Sequence, residues 1–151
     1  MKKLLSLFFA LLSVAFVTAQ IKDPVSWTFE AKKKSADSYE IVITANIPKP
    51  WHMYSQNMPS GGPVPTKLVF NPNPLVKPQG KPKEQGKLEK INDKIFGMEV
   101  LFFSGKVVYT QIVKVKPGIK TNVAGYVNYM VCDDEQCLPP TKKQFDIKLL
   151  S

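Results

Sequence analysis

The chain has 151 residues and a formal charge of +9, with two cysteines and a single histidine, and its 21 basic residues are all lysine. That length holds one domain and a modest core. The lack of arginine argues against nucleic-acid or phosphate recognition, which leans on the bidentate guanidinium fork, and two thiols with one imidazole fall short of a four-ligand zinc site.

Met1 to Ala19 reads as a secretory signal. Lys2 and Lys3 form the positive n-region, Leu4 to Val17 an apolar h-region broken by Ser6 and Ser13, and Val17-Thr18-Ala19 a small-residue cleavage site. Cleavage is expected after Ala19, so the mature chain starts at Gln20. The apolar run is shorter than the ~20 residues a membrane span needs, and no cysteine follows it to take a lipid anchor. The expectation is a periplasmic or secreted domain with no membrane span in its mature part and a charge of +7 (9 − 2). Its lysines are spread through turns and strands, which reads as a solvated surface. An affinity for an acidic partner surface is the alternative.

Beyond the signal the pattern is extended throughout. Val25 to Lys33 contains Val25, Trp27, Thr28 and Phe29. Tyr39 to Ile47 sets Tyr39, Ile41, Ile43, Ala45 and Ile47 on one face at period two, until Pro48 and Pro50 stop it. Lys67 to Asn71 is a short strand fenced by Pro65 and Pro72. Pro72 to Gln85, rich in Pro, Lys and Gly, predicts a loop or irregular edge. Met98 to Phe103 and Lys106 to Lys116 read as a hairpin turning at Ser104-Gly105. In the second arm Val107, Tyr109, Gln111, Val113 and Val115 share a face, opposite Val108, Thr110 and Ile112. Asn122 to Val131 and Gln144 to Leu150 complete the set.

No window carries a capped helical stripe, and 13 prolines would break most helices. Roughly seven to nine short strands predict an all-β, immunoglobulin-like β-sandwich, one domain over residues 20–151.

The stretch Cys132-Asp133-Asp134-Glu135-Gln136-Cys137 holds both cysteines. Cys132 would end the strand Asn122–Val131, and Cys137 would lead into the last strand after Pro139-Pro140, on a hairpin-like loop at the sandwich tip. A disulfide across so small a loop constrains little of the unfolded chain and is a poor staple. An exposed bridge is the kind that exchanges with other thiols. Asp133, Asp134 and Glu135 would raise the thiol pKa and hold back spontaneous attack. The competing reading is an immunoglobulin-like binding or assembly module whose short disulfide stiffens a loop. A carbohydrate or adhesion domain, resting on Trp27 and Trp51, is a third.

These residues resemble the N-terminal periplasmic domain of the bacterial thiol:disulfide interchange protein DsbD. Cys137-Leu138-Pro139-Pro140 is similar to that family's second cysteine followed by an apolar residue and Pro-Pro. Trp51-His52-Met53-Tyr54-Ser55-Gln56 is similar to its aromatic segment ending in Tyr. Asp93-Lys94-Ile95-Phe96-Gly97 resembles its cap loop, which shields the disulfide. The resemblance implies that Cys137 exchanges with partners and Cys132 resolves the mixed disulfide. It implies a cap of Asp93, Ile95, Phe96 and Gly97, and places His52, Tyr54 and Pro139 beside the pair. The cysteines enclose one residue fewer than in the best-known members, Ile95 takes a position usually held by Phe, and the family's membrane-spanning and thioredoxin-like domains are not expected to follow. The implied function is an exported thiol–disulfide carrier relaying reducing equivalents, the kind of electron transfer that serves cytochrome c biogenesis. A protein-disulfide reductase component of this type needs no metal and no cofactor beyond its two thiols. Its expected partners are thioredoxin-fold proteins and a DsbD-like membrane electron transporter, with no nucleic acid, and the domain is expected to be a monomer.

Overall fold

The computed structural model describes residues 23–94 and 96–149; residues 1–22, where the secretory signal is expected, Ile95 and the last two residues lie outside them. The elements are β1 (Ser26–Lys33), β2 (Ser38–Ile47), β3 (His52–Tyr54), β4 (Lys67–Phe70), β5 (Val76–Asp93), β6 (Met98–Val115), β7 (Thr121–Tyr129), β8 (Val131–Cys132) and β9 (Thr141–Leu149). Two antiparallel sheets pack face to face. The larger runs β1-β2-β6-β3-β8, with β5 on the free edge of β6, and the smaller runs β4-β7-β9. The chain folds as an all-β, immunoglobulin-like sandwich. No helix among the described residues is long and apolar enough to cross a membrane.

Period-two alternation builds the core. Tyr39, Ile41, Ile43, Ala45 and Ile47 on β2 are all buried, as are Val107, Tyr109 and Val113 on β6. Each fully buried side chain of the Ile or Val class contributes about 1.5–3 kcal/mol. Aromatic rings join the sheets: Phe29 of β1 stacks on Phe145 of β9 at 5.5 Å, and Trp27 of β1 meets Tyr129 of β7 at 4.9 Å. Trp51 belongs to this core. Gly125 sits between Phe70 and Phe145 in the strand register. A Cβ there would fall 2.9 Å from the Phe145 ring and 2.1 Å from the Val69 carbonyl oxygen, so only glycine fits.

Three expectations are corrected. The turn at Ser104-Gly105 does not form, because β6 runs unbroken from Met98 to Val115. Gly105, at φ 77°, instead marks a bulge where the edge of β6 passes from β2 to β3. The hairpin partner is β5, which occupies most of the stretch expected to be loop, with register shifts between Gln79 and Lys83 and between Gly86 and Leu88. Its prolines are tolerated because the other side of β5 has no ladder to donate to. That open edge, dense in Pro, Lys and Gly, also resists pairing with a stray strand. Finally, the strand expected over Asn122–Val131 is divided: β7 belongs to the smaller sheet, and after Met130 the chain crosses to the larger one as β8. Cys132 therefore lies in a different sheet from the strand that leads to it.

Candidate functional site: a disulfide on the outer face of the larger sheet

The three residues of β3 divide between two environments. Met53 points into the sandwich core. His52 and Tyr54, one step to either side, face outward. Register extends that outer face: Tyr54 pairs with Phe102, His52 with Cys132, and Glu89 and Ile91 of β5 with Phe102 and Val100. The result is a second apolar cluster, separate from the main core. Tyr54, Val100, Phe102 and Cys132 are buried in it, with Met58, Phe96, Met98, Met130 and Cys137 partly exposed around them.

Cys132 and Cys137 are opposed across a short hairpin and bonded, with Cα atoms 4.0 Å apart. The Leu138 N–H donates to the Val131 carbonyl at 2.9 Å, and the Asp133 N–H to the Gln136 carbonyl at 2.9 Å. The cysteines are thus the non-hydrogen-bonded pair between two bonded ones, where antiparallel side chains approach most closely. Asp133 holds the tip, its Oδ1 accepting the N–H groups of Glu135 and Gln136 at 2.9 and 2.8 Å. The two sulfurs are not equivalent. Cys132 is 1% exposed, whereas Cys137 sits at the partly exposed rim.

A model of the family described as "Thiol:disulfide interchange protein DsbD, N-terminal" matches residues 19–149. The chain belongs to this family. Two solved structures share the fold. One is the N-terminal periplasmic domain of ScsB from Proteus mirabilis (TM-score 0.61, 15% identity), which covers 86% of this chain and 48% of that one. The other is the reduced N-terminal domain of Neisseria meningitidis DsbD (TM-score 0.54, 18% identity), covering 83% and 86%. The chain spans about half the length of the ScsB chain it matches. No curated protein matches.

Around the disulfide of this DsbD-type domain, the sequence-selected residues largely converge. The Tyr54 hydroxyl donates to Cys132 Sγ at 3.2 Å, and His52 Nε2 lies 3.4 Å from the same hydroxyl. Burial, with help from Asp93, raises the Tyr54 pKa to about 12, so the phenol remains a donor. His52 is clasped by the rings of Phe102 at 4.6 Å and Tyr54 at 5.4 Å. Burial lowers its pKa, opposed by Asp93, Asp134, Asp133 and Glu89.

The segment resembling a cap is the β5–β6 turn. Asp93 Oδ1 accepts the Phe96 N–H at 3.1 Å, its carbonyl accepts the Gly97 N–H at 2.8 Å, and Gly97 closes the turn at φ 65°. This positive φ is the conformation that glycine adopts without steric cost. The turn sets Phe96 edge-on to Tyr54 at 6.2 Å. Ile95 lies outside the described residues. Pro139 is exposed, and its carbonyl accepts the Thr141 hydroxyl at 3.2 Å. No group of three or more His, Cys, Asp or Glu among the described residues is placed to hold a metal ion.

Several contributors were not foreseen. Met98, Val100 and Phe102 alternate along β6, a signal that the strand has a second apolar face, and Met58 and Met130 complete the rim. Glu84 is the other. Its carboxylate accepts the Ser55 hydroxyl, the Gln56 N–H at 2.9 Å and the Asn57 amide at 2.8 Å. It ties to β5 the loop in which Met58 accepts the Leu101 N–H at 3.1 Å.

Proposed function

We propose that this protein is an exported thiol–disulfide exchange carrier, relaying reducing equivalents between a membrane or thioredoxin-fold donor and oxidised periplasmic or secreted proteins. The asymmetry of the sulfurs is the observation that supports it: one is buried against a hydroxyl donor and the other sits at an apolar rim. A partner thiolate attacks Cys137 Sγ, the disulfide breaks, and Cys132 leaves as a thiolate that accepts the Tyr54 O–H. A second partner thiol then attacks the mixed disulfide. The partner leaves oxidised, and the Cys132–Cys137 pair has gained two electrons and two protons. Run in reverse, Cys137 attacks an oxidised substrate and Cys132 resolves the intermediate. The attacked sulfur is the accessible one, and the leaving sulfur is the one whose charge has a donor.

In this reading Ile95 and Phe96 form a cap that a docking protein displaces, the chemistry uses no cofactor beyond the two cysteines, and the signal is cleaved after Ala19. Its partners are thioredoxin-fold proteins and a DsbD-like membrane transporter. The test is the reduction potential of the pair, by equilibration against glutathione and then dithiothreitol. A value between about −180 and −270 mV is expected, the range from disulfide isomerase to thioredoxin. A potential below about −300 mV would identify a structural bridge and leave the binding-module reading in its place.

A further inference from the structure

The chain as a whole is strongly basic, yet the end that carries the disulfide is acidic. Of its 12 carboxylates, Asp93, Asp133, Asp134 and Glu89 act on His52 beside Cys132, and Glu135 is exposed at the hairpin tip with Asp134. A recess of about 280 Å³ opens here, lined by His52, Asp93, Lys94, Asp133, Asp134 and their β5 neighbours Ile91 and Asn92. Lys94 is the cation of that lining. Carboxylates on a surface are by themselves only solvated charge. Here they frame an exchangeable bond and an apolar rim of Met58, Phe96, Met98 and Met130, side chains that adapt to a partner's contour.

We infer that this acidic collar selects redox partners whose own reactive cysteine is ringed by lysine or arginine, with one such side chain entering the recess between Asp93 and the Asp133-Asp134 tip. The inference rests on the exchange reading above and adds the charge of the partner's docking face. Opposed potentials speed encounter and repel like-charged competitors. The preference is the reverse of what the mature chain's overall +7 (9 − 2) would produce: a generally cationic protein favours anionic partners, and only the local field reverses that choice at the sulfurs.

The experiment uses the purified, reduced protein and two peptides of equal length. In each, the single cysteine is a mixed disulfide with 2-mercaptoethanol, flanked by lysines in one and glutamates in the other. Cys137 attacks the peptide sulfur and expels mercaptoethanol; Cys132 then releases the peptide thiol and closes the protein disulfide. Rates are divided by those of dithiothreitol with the same peptides, which removes the peptides' intrinsic reactivity. Their ratio also cancels the thiolate fraction of the protein. At low ionic strength the lysine peptide should react about tenfold faster or more, and most of that preference should vanish at ~0.5 M salt, where screening acts within about 4 Å. Asp134→Asn with Glu135→Gln should reduce the preference severalfold while leaving the fold intact. Equal normalised rates, a preference for the glutamate peptide, or a preference untouched by the double substitution overturns the collar and leaves the exchange reading standing. Failure of both peptides to react, with a potential in the structural range, overturns both.

Discussion

The hydrogen bond from the Tyr54 hydroxyl to Cys132 Sγ, 3.2 Å long, gives the buried sulfur a partner matched to its chemistry. A disulfide sulfur accepts weakly, but a departing thiolate accepts strongly, so the bond strengthens as charge develops. Tyr54→Phe should leave the fold in place at a cost of about 0.5–1.5 kcal/mol and slow reduction of the bridge by about 3- to 10-fold, since a less stabilised thiolate is a poorer leaving group. Stopped-flow reduction by dithiothreitol checks it; an unchanged rate would show that the hydroxyl only packs. His52 contributes through pH. Burial holds its imidazole below the ordinary value of 6.5, which it regains on unfolding. Between those two values the unfolded chain binds the extra proton, so stability climbs with pH. This contribution is complete above pH 6.5 and is lost as pH falls through the folded-state value. Urea denaturation from about pH 5 to 8 should show the climb, and His52→Gln should flatten it. A slope that persists in the variant would assign it to other groups.

At the scale of elements, the β5–β6 hairpin does two things. Its turn delivers Asp93 and Phe96 to the site, and Glu84, mid-strand, anchors the loop beyond β3. Glu84→Ala would remove acceptors from the Ser55 hydroxyl, the Gln56 N–H and the Asn57 amide. Ser55 is fully buried, so its hydroxyl would lose a partner that water cannot replace. The expected loss is about 1–3 kcal/mol, read by urea denaturation, with faster amide exchange concentrated in residues 55–62. Exchange that rises uniformly would mean Glu84 supports the sheet rather than the loop. The hairpin also shows how far local pattern carries. Ser104-Gly105 looks like a turn in isolation, and Gly105 does take a positive φ. Long pairing with β5 on one side and β2 and β3 on the other keeps β6 extended through it, at the cost of a bulge.

For the whole molecule, the main core and the disulfide cluster lie on opposite faces of the larger sheet, so the fold is expected to stand without the bridge. Cys132→Ser and Cys137→Ser should each abolish exchange yet leave a cooperatively folded domain. Each should be destabilised by only about 2 kcal/mol, the chain-entropy value for a loop of this size. Circular dichroism with urea denaturation checks this; outright unfolding of either variant would make the disulfide a structural staple. On the exchange reading proposed above, a pair placed on a scaffold that stands without it would cycle between oxidised and reduced forms while the sandwich persists.

Period two was enough to read the all-β class and the buried faces of β2 and β6, because alternation on a half-buried strand is a local consequence of the pleat, and flanking prolines fenced β4 to within a residue. The cysteine hairpin was legible from the short spacing of its two cysteines and the Pro-Pro that follows, whereas the aromatic and turn segments beside it were singled out by their resemblance to the DsbD N-terminal domain. Pairing was not local. That β5 is a strand, that β6 does not turn, and that the chain changes sheets at Met130 depend on partners far away in sequence. So does the site itself. His52, Tyr54, Phe102, Phe96 and Cys132 come from four separate segments, and only the register of β3 against β6 and β8 turns them to the same face. The basic sequence likewise conceals an acidic end, because net charge sums over the chain whereas an electrostatic field depends on where the fold sets each group.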